Sequence, residues 1–190
     1  AITKIHPSAP REFDEDEYAH SVAFLKWFLG AKSDDATATG KVFTTSYDLL
    51  LYWTLMEGLK QLNCDDGFRR GRWGRRGCQT IFYLHGALHL FEDEGCTRKL
   101  SVEGRLVDTV GKRIEGDDVP LFISEGSSQE KRVRIAESPY LTAASECLAE
   151  ACDDPEARLF VFGHSLRDED AHIFEKIADG RIPEVFISVR

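Results

Sequence analysis

Four short apolar runs in this chain each stop at a polar cluster, and that punctuation limits its fold more than any other feature. The runs Lys41 to Thr45, Gln79 to His85, Val119 to Ser124 and Arg158 to Phe162 read as strands. Strands that are apolar without alternation are buried on both faces, as in parallel sheets covered by helices. Helical patterns lie between them. Val22, Leu25 and Leu29 recur at helical spacing after an acidic first turn, Asp14 to Glu17, and Phe24, Trp27 and Phe28 widen the stripe. The stretch from Asp48 to Leu59 is apolar nearly all round, so its helix is expected to be covered on most sides.

Further along, Leu106 to Ile114 reads as a short helix, and Ser138 to Cys152 as a longer one with Ser138 as N-cap and Pro139 in first position. Asp168 to Ala178 gives a last helix and Glu184 to Val189 a closing strand, while Leu88 to Phe91 and Thr97 to Ser101 suggest a small hairpin. The expectation is an α/β fold: one Rossmann-like, three-layer domain spanning residues 1–190, with a mostly parallel sheet and a hairpin insertion.

Composition excludes several classes. A net charge of −9 would repel a phosphate backbone, which argues against nucleic acid as the main partner. There is no apolar run of membrane-spanning length, and Ala1 to Pro10 lacks the order of a secretory signal, so a cytoplasmic protein without membrane contact is expected. The five cysteines contain no CxxC pair and are odd in number, which signals neither a zinc framework nor a complete disulfide set.

In open parallel sheets the ligand crevice lies beyond the carboxyl ends of the strands. Four such ends are polar here: Thr44-Thr45-Ser46-Tyr47-Asp48, Tyr83-Leu84-His85-Gly86, Ile123-Ser124-Glu125-Gly126 and Gly163-His164-Ser165-Leu166, the last with Asp168 and Asp170 close behind. Singly, each has an ordinary explanation. Ser46 or Thr45 can cap the next helix, and an isolated strand-end histidine such as His85 is more often structural than catalytic. Together, if one sheet forms, they share a rim, which capping alone does not explain.

The order of these pieces resembles the sirtuin-like superfamily, in particular bacterial sirtuin-like domains of the phage-defence type, over most of Val42 to Val189. A strand in that family ends in a Thr-Thr-Asn-Tyr-Asp type motif, matched by Thr44, Thr45, Tyr47 and Asp48, with Ser46 in the Asn position. A second ends in Leu-His-Gly, matched by Leu84, His85 and Gly86, and a late one in Gly-x-Ser-Leu, matched by Gly163, Ser165 and Leu166, with Asp170 after it.

The resemblance implies cleavage of the bond between nicotinamide and ribose in NAD, as an NAD hydrolase. On that basis His85 is the acid/base residue, Asp48 holds the nicotinamide amide, and Ser165 bonds the ribose. Thr44, Thr45, Tyr47, Gly86, Gly163, Leu166 and Asp170 complete the nucleotide contacts, with no metal involved. Two departures bear on activity. Ser46 carries only a hydroxyl where the family has an amide, and no Gly-rich turn precedes Val42 to cradle a pyrophosphate. The second departure suggests that an upstream part of the domain is absent. The rival expectation is a catalytically silent module that binds NAD or ADP-ribose, or another protein or second copy. A protein deacylase is the weakest reading, because the four-cysteine zinc module of deacylating sirtuins has no counterpart.

Two other signals carry less. Arg69, Arg70, Arg72, Arg75 and Arg76 around Trp73 read as a solvated loop, with a minor alternative in which it helps hold an anionic ligand on the site side of the sheet. A metal site built from His85 and His89, four apart, or His164 and His172, eight apart, with Asp168 or Asp170, is a minor alternative; His85 and His89 would face one another only on a helix, and their segment reads as strand and turn.

Overall fold

The computed structural model of the protein describes residues 15–30, 40–58, 62–74, 79–100 and 106–188. They form two compact units that divide between Phe122 and Ile123. Helices and strands mix in both, so the fold is α/β.

The first unit begins with α1 (Glu15–Leu29), which buries Tyr18, Val22, Leu25 and Leu29 along one face. The expected wider stripe is absent: Phe24 is exposed and Trp27 is 86% exposed, because both lie off the line set by those four residues. The next strand, β1 (Val42–Thr44), leads into α2 (Leu50–Gly58), which packs on α1. Tyr52, Trp53 and Leu55 of α2 are buried, but Leu50 and Met56 are exposed, so this helix is covered on one side and not nearly all round.

Strands β2 (Phe68–Arg69), β3 (Arg72–Trp73), β5 (Gly86–Asp93), β6 (Cys96–Lys99) and β7 (Pro120–Phe122) form an antiparallel sheet in the order β2-β3-β6-β5-β7. Between β3 and β5, the strand β4 (Ile81–Tyr83) pairs in parallel with β1 instead. Helix α3 (Leu106–Glu115) contributes Leu106, Val107 and Val110 to a core shared with Tyr18, Leu49, Tyr52, Trp53 and Leu88.

The second unit holds α4 (Ser128–Glu137), α5 (Pro139–Cys152), β8 (Arg158–Val161), a 3-10 turn (Asp168–Asp170), α6 (Ala171–Asp179) and β9 (Glu184–Ile187). Ser138 ends α4 and starts α5, its side chain accepting from the Leu141 N–H at 3.4 Å with Pro139 in the first turn. Strands β8 and β9 pair in parallel across α6, the connection that parallel neighbours require.

Three expectations need correction. The largest sheet among the described residues is antiparallel, and parallel pairing is confined to β1–β4 and β8–β9. The hairpin β5–β6 is therefore no minor insertion, since β5 is the strand on which β6 and β7 both pair. Strands β8 and β9 are not buried: Phe160, Val185, Phe186 and Ile187 are exposed, as is Phe162 just after β8. Apolar composition shows that a strand can be buried; it does not supply the layer that buries it. Among the described residues, no helix is long and apolar enough to cross a membrane.

Candidate functional site

The register of β1 on β4, Thr44 opposite Tyr83, places the two strand ends side by side. The Leu84 N–H donates to the Thr44 carbonyl at 2.8 Å, and the Leu88 N–H donates to the Tyr47 carbonyl at 2.8 Å. Those bonds flank His85, so the Thr44-to-Asp48 segment runs directly along the turn that carries the imidazole. This is the juxtaposition expected of the first two motifs.

Local bonds shape the segment. The Ser46 N–H donates to Thr44 Oγ1 at 3.1 Å, closing a tight bend that leaves Ser46 and Tyr47 exposed while Thr44, Thr45 and Asp48 are half-buried. Asp48 Oδ1 accepts from the Leu50 N–H at 2.8 Å and so caps α2, the ordinary use of Asp before a helix. The Tyr47 ring packs on Phe122 at 5.1 Å. His85 itself is only 3% exposed, which suits a proton-transfer group shielded from bulk water and equally a structural core histidine.

Gly86 is required by the backbone. Its φ is +72°, and a Cβ there would run into the carbonyl oxygen of Leu121 in β7. The close approach of two strands therefore accounts for this glycine, whether or not a ligand uses it.

The remaining expected site residues belong to the second unit. Gly163, Ser165 and Leu166 are exposed after β8, and Gly163 has φ +64°. Leu166 has φ +52°, a conformation a γ-branched residue enters at a cost, and its N–H donates to His164 Nδ1 at 3.0 Å. That bond makes Nδ1 an acceptor and leaves Nε2 to carry its proton toward Asp170 Oδ2, 3.2 Å away. The other oxygen, Asp170 Oδ1, accepts from Lys131 Nζ at 2.6 Å.

Lys131, 5% exposed, is a residue the sequence reading does not single out. Its signal was available in the capping box of α4, where Ser127 and Glu130 bond each other's backbone. A helix started there puts Lys131 and Ile135 four apart on one face, and both are buried. Ser128 and His172 complete the cluster. Ser128 Oγ accepts from the His172 N–H at 2.9 Å and lies 3.3 Å from His172 Nδ1. The His172 pKa is pushed down to about 4: burial is the main cause, the Asp170 charge opposes it, and the charges of Lys131, Arg132 and Lys176 add to the lowering.

A ring nitrogen of His172 and an oxygen of Asp170 lie within 4.8 Å of each other, two donors of the kind a metal uses. The ammonium already bonded to that carboxylate makes the pair within this unit a poor seat for a second cation.

A family model described as Domain of unknown function (DUF4917) matches residues 1–190. The chain belongs to this family. No curated protein matches the DUF4917 chain significantly.

Proposed function

We propose that this DUF4917 chain is a sirtuin-like NAD-binding domain acting in the cytoplasm, whose chemistry is cleavage of the nicotinamide-ribose bond. One observation carries the reading: the carboxyl ends of the parallel strands β1 and β4 run side by side, with Thr44–Leu84 and Tyr47–Leu88 backbone bonds on either side of His85. Parallel strand ends are where α/β proteins bind nucleotides. In this reading the His85 imidazole moves the proton between a ribose hydroxyl or water and solvent. Its burial strengthens each polar contact made to an oxocarbenium-like ribose. Asp48 holds the nicotinamide amide through Oδ2, since Oδ1 serves Leu50. Thr44, Thr45, Ser46, Tyr47 and Gly86 line the nicotinamide side of this rim.

A second reading is favoured by two particular features. With His85 nearly sealed from water and Asp48 engaged as a helix cap, the same rim suits a module that holds NAD or ADP-ribose without turning it over. A fluorescent NAD analogue separates the two. Turnover that disappears in His85→Ala supports cleavage, saturable binding without turnover supports the module, and neither binding nor turnover removes the nucleotide from both.

A further inference from the structure

The antiparallel register of the first unit lines up arginines across three strands. Arg69 of β2 is opposite Arg72 of β3, Arg72 is opposite Arg98 of β6, and Arg98 is opposite Phe91 of β5. Directly opposed residues share a face of the sheet, with side-chain roots about 5 Å apart. Arg113 from α3 lies over the Phe91 ring, 4.8 Å from its centroid, and so extends the row. Like charges placed directly opposite each other repel, so a row of this kind needs anions.

The protein supplies some of them. Arg69 pairs with Asp65, Arg98 with Asp93 at 2.6 Å, and Arg113 with Asp118 at 3.8 Å. Arg72, in the middle of the row, is exposed and has no carboxylate partner among the described residues. The turn beside it adds a further cation: Arg70 and Gly71 have φ +51° and +75°, the paired positive values of a two-residue hairpin. The first of those positions suits Asn, Asp or Gly, yet this chain has an arginine there, exposed beside the row.

We propose that the Arg69-Arg72-Arg98 row is a binding site for a compact oligophosphate, centred on Arg72 and flanked by Arg70. Guanidinium forks grip phosphate oxygens two at a time, and linked phosphates present several charges over the short distance between neighbouring strands. The row spans two strand spacings, about 10 Å. A chain of net charge −9 repels an extended polyanion elsewhere on its surface, which favours a short ligand over a nucleic-acid strand.

The site is separate from the rim at His85. Strand β5 starts at Gly86 beside that rim and reaches Phe91 five residues later, on the order of 15 Å along the strand. The row therefore does not depend on the NAD reading, and it lies away from the site-side position expected for the basic loop.

Tripolyphosphate titrated calorimetrically into the full chain tests the proposal. Arg72→Glu is expected to weaken binding at least about tenfold and Arg72→Gln by somewhat less, whereas Arg134→Glu, an equal change of net charge on α4, leaves it within about twofold. Circular dichroism checks that each variant is folded, and the Gln variant keeps the test valid should Glu disturb the hairpin. No binding by the unaltered chain, or binding by both Arg72 variants as tight as that of the unaltered chain, overturns the proposal. So does binding of a single-stranded oligonucleotide where tripolyphosphate does not bind.

Discussion

The Lys131 ammonium lies 2.6 Å from the Asp170 carboxylate, with both side chains largely withdrawn from water. The pair joins α4 to the 3-10 turn before α6, and His164 Nε2 faces the same carboxylate at 3.2 Å. Removing one partner of a buried pair strands the other charge, which is far costlier than removing both. Lys131→Met is therefore expected to destabilise the protein by about 3 kcal/mol, and Lys131→Met with Asp170→Leu by clearly less. Urea denaturation of the two variants checks this; equal losses would mean that the carboxylate is satisfied without Lys131.

Acid should unfold the protein through two histidines. Burial, with help from the Lys99 charge, pushes His89 down to about 3, and burial pushes His172 down to about 4, both from an ordinary value of 6.5. The unfolded chain takes up these protons first. Stability is thus fully present above pH 6.5 and falls as the pH drops toward 4 and then 3, by a few kcal/mol in all. The urea midpoint measured from pH 7 to pH 4 should follow this slope, and a flat profile would contradict it.

His89 is fully buried against Tyr52 at 4.6 Å and Tyr83 at 5.2 Å, and neither ring nitrogen has a hydrogen-bond partner among the described residues. Replacing an unsatisfied buried polar group by an apolar one of similar size is neutral or stabilising. His89→Leu should raise stability by about 1 kcal/mol at pH 7 and by more at pH 5, as seen in thermal unfolding. A large loss at pH 7 would show that the imidazole makes a bond worth keeping.

How much of this was legible in sequence depended on whether the signal was local. Ser138-Pro139 marked the start of α5, and the Leu106-to-Ile114 pattern gave α3, because capping and helical periodicity act within a few residues. Ser127 and Glu130 carried an equally local signal for α4, obscured by the charged run Glu130 to Arg134. Strand pairing is different. Ile81 to Tyr83 and Ala87 to Phe91 are both buried and, His89 aside, apolar, yet one pairs in parallel and the other antiparallel, since the partner is chosen by distant chain. The proximity of the Thr44-to-Asp48 segment to His85 needed only β1 and β4 to be neighbours. The Lys131–Asp170 bond needed the packing of α4 against the turn before α6, which no motif encodes.

Gly86→Ala should be among the most damaging single changes in the first unit. The new Cβ would meet the Leu121 carbonyl while the backbone is held at φ +72°, so β7 must separate from β5. A loss of about 3 kcal/mol or more is expected in chemical denaturation, against about 1 kcal/mol for an exposed glycine of ordinary φ.

Ser46 sits exposed in the bend closed by its own N–H on Thr44 Oγ1, so a longer side chain there meets no packed neighbour. If the rim cleaves NAD, Ser46→Asn is expected to raise turnover by about 100-fold, the usual worth of one positioned polar group. An unchanged rate would show that position 46 does not limit the reaction.

The most direct measurement is to titrate NAD into isotopically labelled protein and follow the backbone amide resonances. Shifts should concentrate in residues 44–48 and 84–88, the two chain segments that meet around His85, and should saturate together. Absence of shifts at millimolar NAD, or shifts that leave both segments unaffected, would contradict the assignment of this rim to a nucleotide.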